Sequence, residues 1–178
     1  TSITHEDTRV RAVNAALATI IAHCLTHHEI VLGVVLDAAA VAASRIDSEV
    51  AEAIQQIPGM LTLNEQDAFL KLASLGDHRD VSPDRIGVED RCLPIFMVAL
   101  YSWFRDPGSP RSVLLSCLQA GGAVQLTAAI GGALAGACSG ESGLPKDLVQ
   151  RLLEVEDLRL DANQLYDRQQ MERRRRDL

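Results

Sequence analysis

The chain has 178 residues, enough for one domain with a buried core but short for two. Hydrophobic residues make up 47% of it, which excludes an intrinsically disordered chain. Its 17 Lys and Arg residues are outnumbered by 24 Asp and Glu residues, and the net charge of -7 argues against nucleic-acid binding. We therefore expect one domain over residues 1–171, followed by a basic C-terminal tail at 172–178.

The first half of the chain predicts helices, because apolar residues recur at helical spacing and no alternating strand pattern of useful length appears. Asp7, Ser48 and Asn64 are the expected N-caps. Pro58-Gly59 and Gly76 are the expected terminators. Phe69, Leu70, Leu72 and Leu75 are expected to be buried. The predicted helices run from about Asp7 to Leu25, from about Glu29 to Arg45, from Ser48 to Ile57, and from Asn64 towards Gly76.

The second half continues the helical pattern. Pro94 requires that the fifth helix begin near it, and Ser109-Pro110 supplies a cap and an N1 proline for the sixth. The predicted helices run from Leu93 to Phe104, from Ser109-Pro110 to Gln119 or Ala120, and from just after Gly122 to about Ser139. Another helix is predicted to begin after Pro145, and the last runs from about Val155 to Met171. Helices joined by short loops predict a compact, all-α orthogonal bundle.

Four cysteines lie in apolar segments, and their spacing matches no CxxC or zinc motif. We expect buried thiols in a reducing compartment rather than disulfides or metal ligands. Residues 1–10 are polar, unlike a signal peptide, and the apolar segment 123–138 is too short for a membrane span. The expectation is a cytoplasmic protein without membrane attachment. The cysteines are Cys24, Cys92, Cys117 and Cys138.

The most informative segment is residues 120–137, which read AGGAVQLTAAIGGALAGA. It resembles the second metal-binding motif of the ADP-ribosylglycohydrolase family, in which GGDTDT precedes an apolar AAIAGALAGA helix. Thr1–His5, Gly87–Pro94 and the Gly140 to Pro145 turn are similar to other family segments in the expected order. The resemblance implies an all-α ADP-ribosylglycohydrolase-like domain that corresponds to the C-terminal half to two-thirds of a complete member and is incomplete at its N-terminus.

The sequence departs from the family at the residues that hold metal. Family enzymes hydrolyse the bond between ADP-ribose and an acceptor side chain with two Mg²⁺ or Mn²⁺ ions, and an upstream Thr-Asp-Asp motif would lie before residue 1. Here the two Asp positions are Ala123 and Gln125, and the Thr positions are Val124 and Leu126. Because Mg²⁺ prefers anionic oxygens, we predict no metal ligand, no cofactor and no catalytic residue on this chain.

Three residues are the candidate contacts for ADP-ribose. The histidine that matches His5 lies in the ADP-ribose cleft of family enzymes, where it can hydrogen-bond phosphate or ribose. The alternative is an exposed histidine that serves only the entry to the first helix. Gly121-Gly122 would let a ligand approach backbone amides at a helix start. The alternative there is a helix-breaking turn between two core helices.

Other features are interpreted structurally. These are histidines at the end of the first helix, a polar loop, a glycine stripe, two aromatic residues and an arginine run. Their residues are His23, His27 and His28; Asp77, His78, Arg79, Asp80 and Asp84; Gly132, Gly136 and Gly140; Trp103 and Phe104; and Arg173 to Arg176. The glycine stripe is expected to form a helix face for close packing, and the other four features are weighed against a ligand-binding or partner-binding alternative.

The resemblance leaves two functional hypotheses from different classes. The first is a non-catalytic member that binds ADP-ribose, an ADP-ribosylated protein or another protein partner. The second is a metal-dependent hydrolase, completed by an upstream half, that removes ADP-ribose from proteins with Mg²⁺ or Mn²⁺. A helical interaction module unrelated to ADP-ribose would require the resemblance at 120–137 to be coincidental.

Overall fold

The computed structural model describes residues 3–27, 29–76 and 87–176, and it divides into two compact units. The first unit is Thr1–Gly143. Its helices are α1 (Thr8–Thr26), α2 (Leu32–Ser44), α3 (Ser48–Gln55), α4 (Ile57–Met60), α5 (Glu65–Ala73), α6 (Cys92–Arg105), α7 (Pro110–Gln119) and α8 (Val124–Gly143). Within the described ranges no β-strand occurs, which confirms the all-α prediction.

The second unit is Leu144–Leu178. It contains a single turn of helix, α9 (Lys146–Val149), and a long helix, α10 (Val155–Arg176). The long helix continues past the predicted end at Met171, into the residues expected to form a tail. Among the helices of the described part, none has both the length and the hydropathy that a membrane crossing requires.

Capping and proline positions fix several helix ends where the sequence predicts them. The Asp7 carboxylate accepts hydrogen bonds from the first amides of α1, and Asn64 Oδ1 accepts from Asp67 N at 2.9 Å. Ser109 caps α7, and Pro110 occupies its first turn. Gly140 interrupts the helical geometry of α8 with φ 64° and ψ -179°, immediately after the predicted end at Ser139.

Three local predictions are wrong. Asp47 rather than Ser48 caps α3, because its Oδ1 accepts from Glu49 N at 3.0 Å. Pro58 does not end α3 but lies in the first turn of α4, where a missing amide proton costs no hydrogen bond. Leu70 is 57% exposed, since it lies on the opposite side of α5 from the buried Phe69 and Leu72.

Helix α6 is the centre of the first unit. Every residue from Leu93 to Phe104 is buried, and the helix packs against α1, α5, α7 and α8. Trp103 and Phe104 are buried core residues with their rings in edge contact at 5.9 Å, which confirms core filling rather than an exposed stacking surface. Helix α8 is thereby placed against the core, with the candidate motif at its start.

Candidate functional site

The candidate motif lies where two loops meet at the start of α8. Val88, from the loop before α6, forms an isolated parallel bridge with Gly122. Val88 N donates to Gly121 O at 3.2 Å, and Ala123 N donates to Val88 O at 2.8 Å. The backbone of one loop therefore holds the other loop, which fixes the position from which α8 begins.

Glycine is required at this junction for two reasons. Gly87, Gly121 and Gly122 have φ values of 97°, 70° and 69°, a region that other residues adopt at a cost. A Cβ on Gly122 would also lie 2.1 Å from Val88 O, and one on Gly87 would lie 2.4 Å from Gly122 N. The two loops approach more closely than any side chain at these positions would allow.

A cleft of about 450 Å³ opens beside this junction, within the size range of small-molecule sites. One residue that the sequence analysis did not single out lies on its wall, namely Asp90, whose carboxylate is a charged oxygen donor. The only sequence signal for Asp90 was its place within Gly87–Pro94, the loop that is similar to a family segment. The described lining residues are Val88, Asp90, Gly122, Ala123, Val124, Gln125 and Leu126.

The chemistry of the α8 wall follows from its side chains. Ala123, Val124 and Leu126 offer hydrocarbon, and Gln125 offers a neutral amide. Thr127, the next hydroxyl along the chain, is fully buried. Its Oγ1 lies 3.2 Å from both Ala123 O and Val124 O, so its proton is used within the helix. The wall presents hydrogen-bonding capacity at Gln125 and otherwise an apolar surface.

Three backbone amides around the glycine pair have acceptors in the chain. Gly121 N donates to Leu118 O at 3.2 Å, and Val124 N donates to Gly122 O at 2.7 Å. With Ala123 N bonded to Val88 O, three amides of the turn point to carbonyls rather than into the cleft. The positive φ values and the close approach of the two loops explain why glycine occupies positions 121 and 122 even without a ligand. Contact of Gly121 and Gly122 with ADP-ribose stays a prediction.

His5 lies in the non-helical segment before α1, and its side chain is exposed. Its Nδ1 atom is 2.8 Å from Thr4 Oγ1. His5 is not one of the described residues that line the cleft beside Gly122. Gly122 lines the cleft together with residues 123–126, whereas the role of His5 stays a prediction.

The remaining candidates are placed as follows. The His23 and His27 rings stack with centroids 3.9 Å apart at the C-terminal end of α1. In the described part of the chain, no group of three or more His, Cys, Asp or Glu residues is arranged to hold a metal ion. Gly140 ends the regular part of α8, and no atom lies within 4 Å of a Cβ added there. The prediction that Gly140 belongs to a glycine face for close helix packing is therefore wrong. Outside the described residues lie Thr1, Ser2, His28, Asp77, His78, Arg79, Asp80, Asp84, Asp177 and Leu178.

A second cleft of about 460 Å³ lies between α5, α6 and α7 and is more polar. Arg105 Nη1 forms an ion pair with Glu65 Oε1 at 2.6 Å. Ser116 Oγ lies 2.9 Å from the same carboxylate oxygen and 3.0 Å from Ser102 Oγ. The hydroxyls and the ion pair satisfy one another across three helices, a network that a single sequence does not reveal.

Comparison with known proteins gives one match. The family model described as ADP-ribosylglycohydrolase matches residues 1–175. No curated protein matches the chain. No solved structure matches it either. The match covers both clefts and almost the whole chain.

Proposed function

The chain belongs to the ADP-ribosylglycohydrolase family, and from that premise we propose that it is a member without catalytic activity of its own. In this proposal it binds an ADP-ribosyl group, free or attached to a protein, without a metal ion. Its localisation in this proposal is the cytoplasm. The observation that carries the proposal is the lining of the cleft at the start of α8.

The donor set of this cleft does not fit a pair of divalent cations. Mg²⁺ and Mn²⁺ in proteins are held largely by carboxylate and other oxygen donors. Among the described lining residues Asp90 supplies the carboxylate and Gln125 a neutral carbonyl, while Ala123 and Leu126 supply none. We therefore derive no step through a metal and assign no catalytic residue.

The same lining suits recognition of a sugar. A carboxylate such as that of Asp90 accepts hydrogen bonds from two neighbouring hydroxyls, and the Gln125 amide both accepts and donates. Val88 and Leu126 provide apolar contact beside them. We assign ribose hydroxyls to Asp90 and Gln125, keep His5 as the phosphate contact, and give Gly121 and Gly122 the role of shaping the wall.

The presence of Asp90 in the cleft also favours the second candidate function, a hydrolase that removes ADP-ribose from proteins. A carboxylate in the lining of this cleft would be one ligand of a Mg²⁺ or Mn²⁺ ion if further ligands came from chain upstream of Thr1. We rank this candidate second because Ala123 and Gln125 stand at both Asp positions of the family motif.

Calorimetric titration with ADP-ribose, in Mg²⁺ and in a chelator, distinguishes the candidates. We expect the same affinity in both, and no ADP-ribose released from an ADP-ribosylated protein in Mg²⁺. Binding that needs Mg²⁺, together with release of ADP-ribose, would establish the hydrolase instead. Failure to bind in either buffer would remove ADP-ribose as the ligand.

A matched pair of variants locates the site. Gln125→Leu removes the amide from the cleft at α8, and we expect ADP-ribose affinity to fall by roughly tenfold, the effect of one lost hydrogen bond of about 1.4 kcal/mol. Gln119→Leu makes the same change in the second cleft and should leave the affinity unchanged. Equal effects of the two substitutions would place binding elsewhere.

A further inference from the structure

Two cysteines from distant parts of the chain meet in the first unit. Cys24 lies in the last two turns of α1 and is 6% exposed, and Cys138 lies in α8, two residues before Gly140. Their Sγ atoms are 3.1 Å apart, although 114 positions separate them in sequence. Helices α1 and α8 pack against each other, so this pairing is part of the fold.

The other two cysteines have different surroundings. Cys117 is buried in α7, which packs against α8. A Cβ atom added to Gly131 of α8 would lie 2.7 Å from Cys117 Sγ. Cys92 is half-buried at the start of α6. Cys92 and Cys117 therefore serve as internal controls for any chemistry that requires two adjacent thiols.

We propose that Cys24 and Cys138 form an intramolecular oxidation site, which closes to a disulfide bond when the protein meets hydrogen peroxide. The two Sγ atoms need to approach by only about 1 Å to reach the S–S bond length of about 2.05 Å. Both cysteines are free thiols in the structure. The site is separate from the proposed ADP-ribose site, because Cys138 and the cleft lie at opposite ends of α8.

Cys138 is the thiol that a small oxidant reaches first, because it is half-buried while Cys24 is buried. Burial, followed by the hydrogen bond and the charge of Cys138, raises the pKa of the Cys24 thiol to about 12, so Cys24 keeps its proton until the second step. The exposure of Cys138 and the proton on Cys24 set the order of reaction.

The reaction balances with one peroxide molecule. Cys138 first releases its proton to water, and its sulfur attacks a peroxide oxygen. An S–O bond forms as the O–O bond breaks, and the leaving hydroxide takes up the released proton to become water. Cys24 then attacks the Cys138 sulfur, the S–S bond forms as the S–O bond breaks, and the Cys24 proton leaves with the hydroxide as a second water. Two thiols lose two electrons in total, and hydrogen peroxide gains both.

The disulfide would join α1 to α8 and close a loop of more than a hundred residues. A disulfide that closes so long a loop lowers the conformational entropy of the unfolded chain and thereby stabilises the folded state. For a chain of this length we expect the Tm to rise by roughly 10 °C on oxidation and to return when the bond is reduced. The ADP-ribose cleft at the other end of α8 should keep its affinity.

The test is peroxide treatment of the full chain, followed by intact mass measurement and peptide mapping. We expect a monomer lighter by two hydrogen atoms, with free thiols falling from four to two. Cys92→Ser and Cys117→Ser should each still lose two thiols, whereas Cys24→Ala and Cys138→Ala should form no intramolecular bond. Tryptic digestion of the Cys117→Ser variant should join peptides 12–45 and 112–146.

The proposal is overturned if the wild-type mass is unchanged, or if the linked peptides contain Cys92 or Cys117 or come from two chains. Peptide mapping of the wild-type chain with chymotrypsin, which cleaves between Cys117 and Cys138, does not depend on any variant folding. If the disulfide forms but the reduced chain does not bind ADP-ribose, the proposed function alone is contradicted. Binding by the reduced chain that is lost on oxidation would show instead that the two sites are not separate.

Discussion

The two ends of helix α8 are fixed by different means. At its start, backbone hydrogen bonds between Val88 and residues 121–123 hold the helix, and glycines allow the close approach. Towards its end, the side chain of Cys138 meets Cys24 of α1, and Gly140 interrupts the helical geometry. The backbone sets the position of one end, and side-chain contact sets the position of the other.

This difference separates the shape of the turn at the start of α8 from the chemistry of its side chains. The turn at Gly121-Gly122 depends on backbone atoms and on the absence of Cβ atoms, so substitution of Ala123 or Gln125 leaves its hydrogen bonds in place. We infer that the shape of the cleft and its ligand chemistry are specified by separate residues, which allows the first to persist without the second.

The strongest test of the backbone-held end is Gly122→Ala. Its Cβ would lie 2.1 Å from Val88 O at a φ of 69°, so we expect the free energy of unfolding to fall by about 3 kcal/mol. Gly121→Ala has nearly the same φ, but its Cβ lies 3.5 Å from Gly87 Cα and should cost about 1 kcal/mol. Urea denaturation measures both, and equal losses would contradict the role of close approach.

The middle of α8 is tested by Gly131→Ala. The new Cβ would lie 2.7 Å from Cys117 Sγ and 3.1 Å from Val113 Cγ1, and we expect a net loss of about 1 to 2 kcal/mol after the gain in helix propensity. Gly132→Ala meets only the end of Leu114 at 3.3 Å, so it should be neutral or stabilising. A stabilised Gly131→Ala protein in the same denaturation experiment would show that α7 and α8 pack loosely.

The smallest expected effect is at the far end of α8, with Gly140→Ala. No atom lies within 4 Å of the added Cβ, so only the positive φ opposes the substitution, and we expect a loss of about 1 kcal/mol. Gly108→Ala is the matched control, because its Cβ is equally unobstructed and its φ is not positive. If thermal denaturation gives the two variants the same stability, the interruption at Gly140 does not depend on glycine.

Local signals in the sequence predict most of the helix ends. Asp7, Asn64 and Ser109 are caps because a short polar side chain precedes a helical pattern, and Pro110 fits only a first turn. Asp47 and Ser48 are both good caps, and only the backbone conformation decides between them. Leu70 fits the helical pattern, but the pattern does not say how wide the buried face of α5 is.

The candidate site is predicted in part. The motif at 120–137 identifies the wall of the cleft, because its glycines and small residues follow one another in the chain. The presence of Asp90 in the same cleft and the close approach of Gly87 to Gly122 depend on two loops more than thirty residues apart. The meeting of Cys24 with Cys138 is equally non-local, and no spacing rule for metal or disulfide motifs reveals it.

The burial of α6 on all sides has a consequence for how the first unit opens. A helix with one solvent-facing side can detach locally, but detaching Leu93 to Phe104 exposes core surface in every direction. Amide hydrogens in the middle of α6 should therefore exchange with solvent only when the whole unit unfolds. Their exchange rate would report the global stability of the unit directly, without any denaturant.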